Sequence, residues 1–200
     1  MRAKDIVLSL ISLALIGAGV FLISTFFIGS GQRGDSPDGE QNFTPPLVKE
    51  ATTAVKKGPS DETLRLTVPK MARISDVEIP TAEGNDEEKL RNYAAIHLKG
   101  TDYPWEKEAN VYIAGHRLGY PQTESFLAFY DLDNLEEGDT VIVTDSDGEE
   151  YTYEVYSEKV VGPFDFSVTE PVEGKDVITL QTCTLPDYSQ RLIVQAEKVA

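Results

Sequence analysis

The sequence predicts a mainly-β domain of about eight short strands, closed into a barrel or packed as a sandwich. Three observations predict it. From Leu64 onward apolar and polar residues alternate at period two, which is how half-buried strands read. Turn residues punctuate those stretches, and only two segments carry a helical pattern. An uncharged apolar run near the amino end sets this domain behind a membrane anchor and a linker.

Composition narrows the function classes. The 200 residues carry 34 acidic and 18 basic side chains, a net charge of −16. That surface has no electrostatic footprint for a nucleic-acid backbone or for anionic headgroups, so no nucleic-acid partner is expected. One cysteine excludes an intramolecular disulfide, and one cysteine with two histidines cannot build a Cys/His zinc site. No cofactor is expected; the acidic content leaves a dependence on calcium open.

In chain order, residues 1–5 form a short cytoplasmic terminus and residues 6–28 a transmembrane anchor. Ile6 to Ile28 holds no charge, and at about 1.5 Å per residue it spans ~34 Å, enough for a ~30 Å hydrocarbon core. A cleaved signal peptide has a shorter apolar region and a small-residue site after it, which is absent after Phe27. Arg2 and Lys4 precede the run and an acidic stretch follows it, so the positive-inside rule places the rest of the chain outside the cell membrane. Residues 29–60, rich in Gly, Ser, Asp and Pro, read as a disordered tether with a reach of ~30 Å. Arg33-Gly34-Asp35 matches a tripeptide read by some adhesion receptors, but the composition of this linker is enough to produce it.

Residues 61–200 form the folded domain. Leu64, Leu66 and Val68 alternate before Pro69, and Ile74, Val77 and Ile79 before Pro80. Glu87 to Tyr93 and Glu124 to Leu132 suggest short helices. Val111 to Ala114 is a short buried strand. Thr140 to Thr144 and Tyr151 to Val161 flank Asp145-Ser146-Asp147-Gly148, a hairpin turn whose acids do not have the spacing of a calcium loop. Val177 to Cys183 and Arg191 to Val199 complete the set.

The chemistry points to strand ends. Cys183 closes the strand Val177–Cys183, and an unpaired thiol outside the cytoplasm is buried and inert, intermolecular or reactive. A reactive thiol needs a base and a cation. His116 ends the run Ile113-Ala114-Gly115-His116, and Arg191 opens the strand that follows the Cys183 loop. Nucleophile, proton donor and permanent cation from three neighbouring strand ends make an acyl-transfer site. Read singly, each residue is ordinary: a small buried hydrophobe, a loop histidine and an exposed arginine. His97, in Ala94-Ala95-Ile96-His97-Leu98, reads as part of a connecting segment.

Thr179-Leu180-Gln181-Thr182-Cys183 with Arg191-Leu192-Ile193-Val194 downstream resembles the sortase signature, and Ile113-Ala114-Gly115-His116-Arg117 resembles that family's histidine-bearing strand end. The resemblance covers Leu64 to Val199. Gly115-His116-Arg117 with Tyr120, and Cys183-Thr184-Leu185-Pro186, are most similar to the class E sortases of high-GC Gram-positive bacteria. Pro104-Trp105 departs from the family's usual Pro-Gly near the substrate-facing loops.

The resemblance implies a closed sortase barrel and an anchored cysteine transpeptidase. Its partners would be secreted proteins with a C-terminal sorting motif of the L-P-x-T-G or L-A-x-T-G kind, and an amine on a peptidoglycan precursor or a pilin. By resemblance Cys183 attacks the Thr carbonyl, His116 moves the proton, Arg191 steadies the oxyanion and Thr182 helps to form that hole. With ordinary pKa values only about 1% of molecules carry thiolate and imidazolium together near neutrality, so such a site must favour the ion pair. A cysteine peptidase that passes the acyl group to water uses the same Cys and His, and a β-domain that only binds a partner would bury the thiol. L,D-transpeptidases carry their cysteine in a Ser-x-Gly-Cys-like context that is absent here.

Overall fold

The computed structural model describes residues 58–200. The predicted terminus, anchor and adhesion tripeptide, and the linker up to residue 57, lie outside the described residues. No described helix is long and apolar enough to cross a membrane.

Nine strands form one sheet: β1 Leu64–Thr67, β2 Val77–Ile79, β3 Thr81–Ala82, β4 Ile96–Leu98, β5 Asn110–Ala114, β6 Thr140–Thr144, β7 Glu150–Val161, β8 Val177–Cys183 and β9 Arg191–Lys198. Their order is β2-β1-β6-β7-β9-β8-β5-β4-β3. All neighbours are antiparallel except β3 with β4 and β5 with β8. The barrel is nearly closed rather than closed. Its edge strands β2 and β3 are joined in the chain by Pro80, which has no N–H to give a ladder and whose carbonyl accepts from the His97 N–H at 3.0 Å.

Alternation puts Leu64, Leu66, Val141, Val143, Ile178, Leu180, Leu192 and Val194 in the barrel interior. A second apolar cluster lies on the outer face of β4, β5, β8 and β9, with Ile96, Leu98, Tyr112, Ala114, Cys183 and Ile193. Leu90 and Val168 cover it. Leu90 comes from the helix α1, Glu87–Asn92, which Asp86 caps by accepting the Lys89 N–H at 3.0 Å. Val168 comes from a 3-10 turn, Phe166–Thr169. Every residue of β8 is therefore buried, with cover on both faces.

The sequence reading is corrected at four places. β3 and β4 were not expected, because two or three residues buried on both faces show no alternation. The predicted helix Glu124–Leu132 is mostly turns, with a 3-10 helix only at Tyr130–Asn134. Its backbone donors are used elsewhere: the Leu127 N–H reaches Leu118 O at 2.8 Å, and the Phe129 N–H reaches His116 O at 3.2 Å. A further 3-10 turn stands at 166–169. Trp105, expected near substrate-facing loops, is instead part of the barrel core, stacked on Tyr103 with ring centroids 4.7 Å apart. It also packs against Gly58, where an added Cβ would lie 2.1 Å from the indole.

The turn between β6 and β7 follows the hairpin reading. The Asp145 carboxylate accepts the N–H groups of Asp147 at 3.0 Å and Glu149 at 2.9 Å and the Tyr151 hydroxyl at 3.0 Å, while Gly148 takes a positive φ of 86°.

Candidate active site

Strand register assembles the predicted residues. β8 and β9 run antiparallel with Cys183 opposite Arg191. β5 and β8 run parallel, pairing Ala114 with Gln181, and the Gly115 N–H donates to Gln181 O at 3.0 Å. Continuing that register by two residues brings His116 level with Cys183. The three residues that the sequence put at strand ends thus come from three adjacent strands at one end of the barrel.

Thr182 points to the opposite face. Its hydroxyl donates to the Gly115 carbonyl at 2.9 Å and ties the end of β5, and with it the approach to His116, to β8. The Arg191 Nη1 donates to the carbonyls of Tyr188 and Gln190, each at 3.1 Å, and its Nε is buried with no partner among the described residues. The neighbouring Arg117 is turned away, onto Asp133 at 2.5 Å.

The site is enclosed: Cys183 is 1%, His116 2% and Arg191 5% exposed. Burial pushes the His116 imidazole down to about 4. Burial also raises the Cys183 thiol, and the nearby Arg191 charge opposes that rise. Burial thus works against the charged form of both groups, and the Arg191 charge is what favours the thiolate. Tyr188, in the loop between β8 and β9, packs against the cluster that contains Cys183.

Four residues beyond the predicted set belong to this site. Tyr120 meets His116 edge to face at 5.5 Å, and the Arg91 guanidinium from α1 lies over the other side of the site's aromatic wall, 4.3 Å from the Tyr120 ring centre. On the face of β8 that carries Cys183, the Tyr112 hydroxyl donates to the Gln181 Oε1, leaving the Gln181 Nε2 buried and without a partner among the described residues. An unpaired buried donor costs about 1–3 kcal/mol. Alternation within Val177–Cys183 was enough to place Gln181 on the thiol's face; Tyr112 required the pairing of β5 with β8, and Arg91 and Tyr120 required the loops to be folded.

The other histidine serves elsewhere. His97 is fully buried, its Nε2 donating to Asp102 O at 3.0 Å and lying 3.1 Å from the Thr101 hydroxyl, with Nδ1 3.0 Å from the Thr81 hydroxyl. Asp102 O can only accept, so Nε2 carries the proton. Burial lowers its pKa to about 4. Among the described residues no three His, Cys, Asp or Glu side chains are grouped to hold a metal ion.

The family model for the sortase domain matches residues 66–199. Sortase A of Streptococcus agalactiae serotype III (strain NEM316) is 32% identical over 126 residues, 62% of this chain and 50% of that protein. Sortase D of Bacillus subtilis (strain 168) is 26% identical over 174 residues, 85% of this chain and 79% of that protein. Among solved structures, sortase A from Corynebacterium diphtheriae superimposes with a TM-score of 0.59 at 30% identity, covering 70% of this chain and 61% of that one. Sortase C-1 from Actinomyces oris gives 0.58 at 29% identity, covering 68% and 71%. The chain thus spans half the length of the streptococcal relative.

Proposed function

The chain belongs to the sortase family, and from that premise we propose that it is a membrane-anchored cysteine transpeptidase with its catalytic domain outside the cell. The observation that carries this reading is the register of β5, β8 and β9, which sets His116, Cys183 and Arg191 side by side. Its substrate is a secreted protein with a sorting motif of the L-P-x-T-G or L-A-x-T-G kind. Its acceptor is an amine of a cell-wall precursor or a pilin.

The steps follow from the groups present. The Cys183 thiolate attacks the Thr carbonyl carbon, and the carbonyl pair moves onto oxygen, where Arg191 supplies positive charge. As the tetrahedral centre collapses, the C–N bond to Gly breaks and the His116 imidazolium gives its proton to the departing amine. A thioacyl-enzyme remains. The incoming amine attacks it, His116 takes the surplus proton, and the thiolate leaves as the new amide forms. Burial works against both charged forms, so a bound peptide must raise the share of the ion pair, and the nearly covered Sγ must be opened for it to reach the carbonyl. Enclosure serves the second step by keeping water from the thioester.

Mass spectrometry of the full-length protein in detergent, with both motif peptides and a Gly-based amine, tests the reading. A product joined through Thr that disappears in Cys183→Ala, His116→Ala and Arg191→Ala supports it. Thr–Gly cleavage without ligation at saturating amine supports a peptidase. A folded-state Cys183 that resists alkylation, with no product from either peptide, supports a binding module with a structural thiol, the reading that the 1% exposure of Cys183 favours.

A further inference from the structure

We propose that Gln181 is a substrate-positioning residue whose side-chain N–H donates to the peptide carbonyl two residues before the one attacked. The proposal rests on the acyl-transfer reading above. Three observations carry it.

The first is place. Positions 181 and 183 lie on one face of β8, separated by ~6.7 Å at the usual strand rise. A bound peptide in extended form has the same rise. A peptide whose attacked carbonyl meets Cys183 and whose acyl side runs back along β8 sets the carbonyl two residues upstream opposite Gln181. In a motif cut after Thr, that residue is the second one, the Pro or Ala position.

The second is orientation. The Tyr112 hydroxyl donates to Oε1 and holds that end of the amide. Nε2, 2% exposed as part of Gln181, is then an aimed donor with no acceptor among the described residues. Buried amide nitrogens are nearly always paired in folded proteins, and an arriving carbonyl supplies the missing acceptor.

The third is enclosure. Tyr112 and Cys183 pack in one buried apolar cluster, so the Tyr112–Gln181 pair and the nucleophile share one compartment. Val168 packs in that same cluster, and the Asn110 amide anchors its segment by donating to Val168 O at 3.0 Å and Glu170 O at 2.9 Å.

The test uses the full-length protein in detergent, Gln181→Met, and two peptides that differ only in whether the second residue's carbonyl is present or replaced by an alkene. Removing either partner of a neutral hydrogen bond is expected to lower kcat/KM by about 3- to 10-fold. The loss falls mainly on KM. In Gln181→Met the two peptides should react alike, because the bond is already gone, whereas independent effects would multiply. Multiplying losses, or a Gln181→Met enzyme with wild-type KM on the amide peptide, overturn the proposal. Alkylation of Cys183 by a small reagent should proceed at the wild-type rate in Gln181→Met if the site is intact. Should that variant fail to fold, Tyr112→Phe, which lets the amide turn, must blunt the wild-type preference for the amide peptide, and an unchanged preference overturns the proposal. Wild-type cleavage at Thr–Gly with no role for Gln181 sinks this inference alone; no wild-type turnover of either peptide sinks the functional reading with it.

Discussion

His116 and His97 are buried to nearly the same extent, and burial lowers both imidazoles to about 4. What surrounds them differs. His97 sits in β4 beside β3, with Thr81, Thr101 and Asp102 around its two nitrogens and the Tyr103 ring 4.6 Å away. His116 stands past the end of β5, beside the end of β8 and edge to face with Tyr120, over whose ring the Arg91 guanidinium lies. A depressed pKa therefore does not tell the two histidines of this molecule apart. Standing at one sheet end with a thiol and a cation does.

The comparison breaks most visibly by exchange of the two histidines. His116→Gln is expected to lower ligation by about 10²- to 10⁴-fold, the usual worth of a positioned acid–base group, with little change in Tm. His97→Gln is expected to do the reverse. Ligation per folded molecule stays within a few-fold, and stability falls by about 1–3 kcal/mol because buried partners are left unpaired. Kinetics and urea denaturation on the same two variants check both halves.

Acid sharpens the contrast. A histidine whose folded pKa lies near 4 and whose unfolded value is about 6.5 takes up its proton more readily in the unfolded chain. Stability is therefore full above about pH 6.5 and declines as pH falls toward 4. His97, the more enclosed of the two, accounts for up to about 3 kcal/mol of that decline. Denaturation midpoints of wild type at pH 7 and pH 4.5 should converge with those of His97→Gln as pH falls; parallel lines would show that His97 is not the titrating group.

The smallest expected effect concerns the aromatic wall. Tyr120→Ala opens His116 to water, which relieves the desolvation and moves its pKa up toward 6.5. The corresponding limb of the kcat/KM–pH profile should move upward by about one unit, and the same change should be absent from the stability-linked titration of His97. An unmoved limb would assign the low pKa to other covering groups.

Much of the fold was legible because its signals are local. β6 and β8 stand at their predicted bounds, since Thr140 to Thr144 alternates cleanly and Val177 to Cys183 is a continuous apolar-rich run between turns. β4 was not legible: Ile96, His97 and Leu98 are all buried, and three residues covered on both faces have no period to detect. The Glu124–Leu132 segment misled for a related reason. Its apolar spacing suits a helix, but the Leu127 and Phe129 N–H groups go to Leu118 and His116 and others make three-residue turns, an arrangement its own spacing does not show. Trp105 read as a loop residue because its cover, Tyr103 and Gly58, comes from two separate stretches.

By itself the sequence determined the strand-rich class, the acidic surface and the identities of Cys183, His116 and Arg191 as residues at strand ends, because alternation, charge and turn chemistry act over a few neighbours. Tertiary structure alone decided that β5 and β8 are parallel partners, that the Tyr112 hydroxyl reaches Gln181, and that one buried histidine stands at the site and the other in β4 beside β3. Those outcomes depend on register between strands about 65 residues apart, and register is set when the whole sheet closes around its core.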